Sequence, residues 1–255
     1  MAKTLRGKTI FITGATSGFG LAFAKRFAKE GARIVATGRR EDRLSKLKKA
    51  LGNSVHTLTL DVRDQKAVEK AIAGLPAKFS KVDILINNAG LALGLGHVPN
   101  IEFADWEQMV ETNIKGVLYC THALLPQMVK RNSGHIINIG SVAGTYPYPG
   151  GNVYGATKAF IKQFSLNLRA DLLGKNIRVT NIEPGMAETE FSLVRLHGDA
   201  EKAKKVYTGV KPLTAEDIAE SVLFCLTCPT HVNINTLEVM PVMQAFSGFA
   251  VHRKA

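Results

Sequence analysis

Thr9-Ile10-Phe11-Ile12-Thr13-Gly14-Ala15-Thr16-Ser17-Gly18-Phe19-Gly20 is the stretch on which the fold turns. Thr9 to Ile12 is a short β-branched run, and the glycine cluster after it opens an amphipathic segment. Leu21, Phe23, Ala24, Phe27 and Ala28 share a stripe, Lys25, Arg26 and Lys29 lie off it, and Gly31 stops it. The order is therefore strand, glycine turn, helix. Gly14, Gly18 and Gly20 let the backbone approach a pyrophosphate, whose charge is stabilised by free N–H groups at the helix start. Thr16, Ser17 and Phe19 fill the same turn and join the candidate cofactor contacts.

Outward from this unit the pattern repeats. The second strand, Arg33 to Thr37, ends at Gly38-Arg39-Arg40, where dinucleotide folds meet the adenosine ribose. An acid there suits the 2′-hydroxyl of NAD. Arg39 and Arg40 instead suit the 2′-phosphate of NADP, which guanidinium groups hold with paired hydrogen bonds. A third strand, Val55 to Leu60, ends at Asp61-Val62, a helix runs from Asp64 to Ala73, and a fourth strand, Val82 to Ile86, ends at Asn87-Asn88-Ala89-Gly90. Alternating strands and helices predict an α/β fold: a Rossmann-like, doubly wound parallel sheet with helices on both faces, in one domain spanning 1–255. Gly14, Arg39, Asp61, Val62 and Asn88 all fall at strand C-termini, where such sheets bind ligands.

From Asp105 a helical pattern runs to Lys130 with Asn113 inside it. Asn is a poor interior helix residue, so it is either exposed or its amide is used. The fifth strand, His135 to Ile139, ends at Gly140-Ser141. A second helical run follows, in which Phe160, Phe164, Leu168 and Leu172 recur every four residues and Tyr154 and Lys158 share a face. A fixed ammonium beside a phenol favours the phenolate, so the pair is a candidate proton-transfer device.

Composition narrows the class. The chain has 255 residues, 45% hydrophobic, enough to bury a substantial core. Its apolar runs are broken well short of the ~20 residues that span a bilayer, and the first strand follows the basic start too closely for a signal peptide. The expectation is no membrane association. The net charge is +12. The first fifty residues hold 13 Lys and Arg against 3 acids, or +10. No RNA-binding aromatic motif or basic amphipathic helix accompanies that charge, so no nucleic-acid partner is expected. The cysteines, Cys120, Cys225 and Cys228, are too few for a disulfide scaffold and suit a reducing, cytoplasmic compartment. Cys225-x-x-Cys228 lacks the second pair of a zinc site and reads as a packed helix end; no metal is expected.

Thr13-Gly14-x-x-x-Gly18-x-Gly20, Asn87-Asn88-Ala89-Gly90, Asn113, Ser141, Tyr154-x-x-x-Lys158 and Pro184-Gly185, in this order, resemble the short-chain dehydrogenase/reductase family from about Lys8 to the C-terminus. Ala36 to Arg40, Asn88 to Gly94, Gly150 to Tyr154 and His231 to Glu238 are similar, more narrowly, to its NADP-dependent 3-hydroxy acid dehydrogenases, the group acting on serine, L-allo-threonine and related acids. The resemblance implies roles. Tyr154 would be the acid/base, with Lys158 lowering its pKa and holding the nicotinamide ribose. Ser141 would hydrogen-bond the substrate oxygen, and Asn113 would anchor a water linked to Lys158. Pro184 and Gly185 would contact the nicotinamide of bound NADP. The partner would be a small hydroxy acid or carbonyl compound.

The resemblance also implies a lid, at about 186–210, and a homotetramer. The lid contains Phe191, Arg195 and His197, and Arg195 is the candidate for the substrate carboxylate. Met186-Ala187-Glu188-Thr189 departs from the glycine-rich turn of relatives, being shorter and carrying a carboxylate, which bears on lid closure. The apolar tail, about 240–255, is expected to pack against another subunit. Two alternatives remain at this level: an NADPH-dependent carbonyl reductase of another substrate class, and an NADP(H)-binding sensor without catalysis.

Overall fold

Alternation along the strands lets one sheet serve two cores. In β1 (Thr9–Ile12), β2 (Arg33–Gly38) and β4 (Ile84–Asn87), Ile10, Ile12, Ile34, Ala36, Ile84 and Ile86 point to one face, and Phe11, Val35 and Leu85 to the other. The computed structural model describes residues 5–246. Within them the chain runs β1, α1 (Gly18–Lys29), β2, α2 (Glu41–Leu51), β3 (Val55–Thr59), α3 (Gln65–Ala73), α4 (Ala77–Ser80) and β4. It continues through α5 (Phe103–Val110), α6 (Gly116–Lys130), β5 (Gly134–Ile139), α7 (Asn152–Asp171) and β6 (Ile177–Pro184). The last elements are α8 (Phe191–Arg195), α9 (Ala200–Lys205), α10 (Ala215–Thr227) and β7 (Thr236–Val239).

All seven strands are parallel, in the order β3-β2-β1-β4-β5-β6-β7. The fold is the single-domain, doubly wound sheet that the sequence predicts. One core joins Phe23 and Phe27 of α1, Leu44 and Leu47 of α2, and Ile218 and Val222 of α10. The other joins Val68 of α3, Cys120, Leu124 and Met128 of α6, and Leu168 of α7 with Leu172 just beyond it. Near-continuous apolar strands are what a sheet covered on both faces requires. The strand order reverses between β1 and β4, so a crevice opens beyond their C-terminal ends.

Two local readings change. The fourth strand starts at Ile84, because Asp83 leads into it with its carboxylate accepting from the Thr9 N–H at 2.9 Å. The helix expected to run unbroken to Lys130 contains a π-helical turn, Glu111–Lys115, between α5 and α6. Such turns arise where one extra residue is inserted into a helix, and here the turn holds Asn113, which is 1% exposed.

The apolar tail is described only in part, with Val242, Met243 and Phe246 exposed. Its described part, 240–246, folds onto the chain's own surface: the Met186 N–H donates to Gln244 Oε1 at 2.7 Å, and the Phe246 ring lies 4.4 Å from that of Tyr146. Residues 247–255 of the expected oligomerisation tail lie outside the described residues. No helix among the described residues is long and apolar enough to cross a membrane.

Candidate active site

A cleft of about 630 Å³ lies along the C-terminal ends of the strands. Its floor is the glycine turn. Gly14 and Gly18 adopt φ of +68° and +50°, a left-handed backbone in which side chains are strained. A Cβ on Gly20 would stand 2.3 Å from the Gly14 carbonyl oxygen and 2.6 Å from Asn88 Nδ2. Gly20 therefore packs behind the turn instead of lining the cleft. The turn is braced from β4: the Thr13 hydroxyl accepts the N–H groups of Asn88 and Ala89 at 2.9 Å each, and Asn88 Nδ2 donates to the Thr13 carbonyl at 2.8 Å.

This floor suits an anion. The Ser17 N-cap makes no capping side-chain hydrogen bond and the first turn of α1 carries no acid, whereas Asp64 and Asp199 cap α3 and α9 with their carboxylates. Uncapped N–H groups at a helix start are the partners a diphosphate takes.

Thr16, Ser17, Gly18, Phe19, Arg39, Arg40, Asp61, Val62 and Asn88 all line the cleft. Arg39 is exposed. Arg40 is drawn inward, donating to the hydroxyls of Thr16 at 3.0 Å and Ser17 at 2.6 Å. The Asp61 carboxylate is taken up by Arg63, whose hydrogen bonds hold it below the usual carboxylate range.

Ser141, Tyr154, Lys158, Pro184 and Gly185 meet at the other end of the cleft. Ser141 follows β5 and caps the short 3₁₀ turn Val142–Gly144, its oxygen accepting the Ala143 N–H at 3.1 Å. Tyr154 and Lys158, on the first turns of α7, are both buried. Lys158 Nζ donates to the Ile139 carbonyl at 2.8 Å and lies 5.7 Å from the centre of the Tyr154 ring. Burial pushes the phenol up to about 12, partly offset by a hydrogen bond from Ser141 and by the charge of Arg195, and it pushes Lys158 down to about 8. Burial thus outweighs Ser141 and Arg195 at Tyr154, and the phenol lies above its ordinary value.

Asn113 does not line the cleft. Its Oδ1 accepts the Leu91 N–H at 2.9 Å, and its Nδ2 donates to the Leu91 carbonyl at 2.8 Å and to the Thr157 hydroxyl at 3.0 Å. The amide is used, as the sequence allows, and it ties the turn after β4 to the residue preceding Lys158.

Above Tyr154 sits α8, with α9 packed beside it. The rings of Phe191 and Tyr154 are 5.6 Å apart, and the Arg195 guanidinium is 5.6 Å from the same tyrosine ring. Arg195 donates to the Tyr148 hydroxyl at 2.7 Å and to the Gly94 carbonyl at 3.3 Å. His197, named with them in the sequence, turns away to Asp105 at 3.2 Å. Sequence reasoning missed Tyr148, Arg43 and Glu190. Only Arg43 carries a local signal, one helical turn after Arg40. Among the described residues no cluster of three metal-ligating side chains occurs, and the cysteines are free.

This fold and cleft coincide with a family match: residues 8–197 fit the short chain dehydrogenase family. The chain belongs to that family. It is 57% identical over 245 residues to the NADP-dependent 3-hydroxy acid dehydrogenase YdfG of Salmonella typhi, covering 96% of this chain and 99% of the relative. To the serine 3-dehydrogenase of Rhizobium radiobacter it is 55% identical over 247 residues, covering 97% and 99%. Its structure superposes on the closed form of a serine dehydrogenase complexed with NADP+ with a TM-score of 0.96, at 55% identity, over 96% of this chain and 100% of the other. The first of these relatives is NADP-dependent, and the solved structure holds NADP+.

Proposed function

We propose that this protein is an NADP-dependent oxidoreductase moving a hydride between NADP(H) and a small 3-hydroxy acid of the serine, L-allo-threonine or 3-hydroxypropionate type. The observation that carries the substrate class is Arg195, held against the Tyr154 ring on the cleft wall. A guanidinium fixed there by Tyr148 and Gly94 matches a carboxylate one or two carbons from the reacting hydroxyl. The identity of the relatives supports the same reading.

The cofactor's parts find partners along the cleft. Its diphosphate would lie on the uncapped start of α1, its 2′-phosphate against Arg39 and Arg40, its adenine end near Asp61 and Val62, and its nicotinamide end near Asn88, Lys158, Pro184 and Gly185. When bound, NADP(H) supplies the hydride donor or acceptor, and in its oxidised form a cationic ring that favours the phenolate.

Proton handling falls to the protein. In reduction Tyr154 gives its proton to the carbonyl oxygen; in oxidation it takes the hydroxyl proton. A phenol near 12 is protonated at neutral pH and stands ready as the acid. Ser141 donates to the same substrate oxygen and stabilises the charge that develops there. Lys158 adds positive field and holds the ribose. Asn113 is a positioning residue, fixing Gly90-Leu91 and α7 relative to each other through Leu91 and Thr157.

Residues 186–210 act as the lid, within one catalytic domain. Unpaired cysteines suit a reducing, cytoplasmic setting. Exposed Phe103, Leu173 and Phe224 offer apolar area to the homotetramer that the family resemblance implies.

A cofactor-linked screen of serine, the threonine diastereomers, 3-hydroxypropionate, 3-hydroxyisobutyrate and neutral alcohols tests the assignment. Turnover of the acids with NADP, at least tenfold above that of the alcohols, is expected. Equal turnover of alcohols would move the substrate class to another carbonyl reductase, and NADPH binding with no turnover would identify a sensor.

A further inference from the structure

We propose that Glu190 is a positioning residue that couples the arginine cluster beyond β2 to the lid over Tyr154. Glu190 immediately precedes α8. Its carboxylate accepts from Arg43 Nη1 at 2.6 and 2.8 Å and from Arg40 Nη1 at 3.0 Å. Arg40 in turn grips the glycine turn through Thr16 and Ser17. On the five-residue helix that follows, Phe191 at the first position and Arg195 at the last both flank Tyr154. One short rigid element therefore has its first end fixed to the adenosine side of the cleft and its last end over the reacting atoms.

Charge balance explains why the latch and the cofactor coexist, and this step rests on the NADP reading above. Arg39, Arg40 and Arg43 supply three positive charges, of which Glu190 neutralises one. Two remain, matching a phosphate monoester of charge about −2. The arginines can hold both anions at once, so the carboxylate need not leave when the phosphate arrives. Burial alone would raise the Glu190 carboxyl, but hydrogen bonds from Arg43 and Arg40 hold it below its usual range, so it stays ionised at neutral pH.

The side chains are 36–42% exposed, so each pair taken singly is weak. Two guanidinium groups on one carboxylate form a network, and a lid close to balance between open and closed needs only a small bias. Removing the charge should shift that balance about fivefold toward open.

Glu190→Gln keeps the shape and removes the charge. Two readouts are made, and the first needs no turnover: limited trypsin cleavage in the lid, at Lys202, Lys204 and Lys205 of α9. The variant should be cut about fivefold faster than wild type at unchanged melting temperature. The second is steady-state kinetics. The KM for the hydroxy acid should rise about fivefold while the KM for NADP stays level or falls, because an anion near the phosphate has gone. In an Arg43→Gln background the Glu190→Gln effect on both readouts should be less than half as large. Unchanged cleavage, or a full-sized effect without Arg43, overturns the proposal. If wild type fails to turn over hydroxy acids with NADP, the functional reading falls, and the cleavage comparison still decides the latch.

Discussion

The guanidinium of Arg195 lies 5.6 Å from the ring centre of Tyr154, so a cation from α8 and a phenol from α7 face one chamber. The arrangement makes a graded prediction about substrates. Arg195→Ala should lower kcat/KM for hydroxy acids by about 30- to 100-fold, the ~2–3 kcal/mol expected for a charge-assisted hydrogen bond. Neutral alcohols of the same length should lose less than threefold. Equal losses on both would remove the carboxylate contact.

Tyr154→Phe keeps the ring against Phe191 and deletes only the hydroxyl. Turnover should fall by about 10³-fold in both directions, within the span of general acid–base catalysis. NADPH affinity, read from its fluorescence, should remain within twofold. Retention of more than a tenth of the activity would require a different proton donor.

The buried Lys158 carries a stability cost. Burial lowers it from 10.5 to about 8, so between those values the unfolded chain binds a proton that the folded chain does not. Stability from this group rises with pH through that window, and below pH 8 the cost is fully present, at ~3 kcal/mol. Lys158→Met should therefore raise the melting temperature at pH 7. Losing the bond to the Ile139 carbonyl offsets ~1 kcal/mol. The net gain is about 2 kcal/mol, or roughly 4–8 °C for a domain of this size. The advantage should vanish at about pH 10 and reverse above it, as the unfolded-state lysine loses its proton too. A variant no more stable than wild type at pH 7 contradicts the argument.

The proposed contact with the 2′-phosphate makes Arg39 and Arg40 the test of cofactor choice. Replacing both with Ser should reduce kcat/KM for NADP by about 100-fold while leaving NAD within threefold, measured with one hydroxy acid. Wild type using both cofactors equally well would sink the assignment of this corner to a 2′-phosphate.

Much of this was legible before any coordinates, for a physical reason. The glycine turn, Arg39–Arg40, Asp61, Asn88 and Ser141 each follow a strand, and a parallel sheet gathers all such positions at one edge. Tyr154 and Lys158 needed only the helical period. What the sequence could not show depends on contacts between distant segments: Arg43 with Glu190, Tyr148 with Arg195, Gln244 with Met186. No local spacing encodes them. The balance of burial against charge at Tyr154 was hidden likewise, since the sequence shows that a lysine is near but not how dry the site is. The π-helical turn escaped because the apolar stripe continues through it.

That turn constrains the family of lengths this chain can take. Removing one residue from Glu111–Lys115 would let the helix close into ordinary α geometry, yet each residue turns a helix by about 100°. Either α5 would rotate away from α7, or Asn113 would swing out of its place against Leu91 and Thr157. A one-residue deletion here should thus be far less tolerated than a substitution at the same positions, and the segment acts as a fixed ruler in a helix that otherwise reads as replaceable.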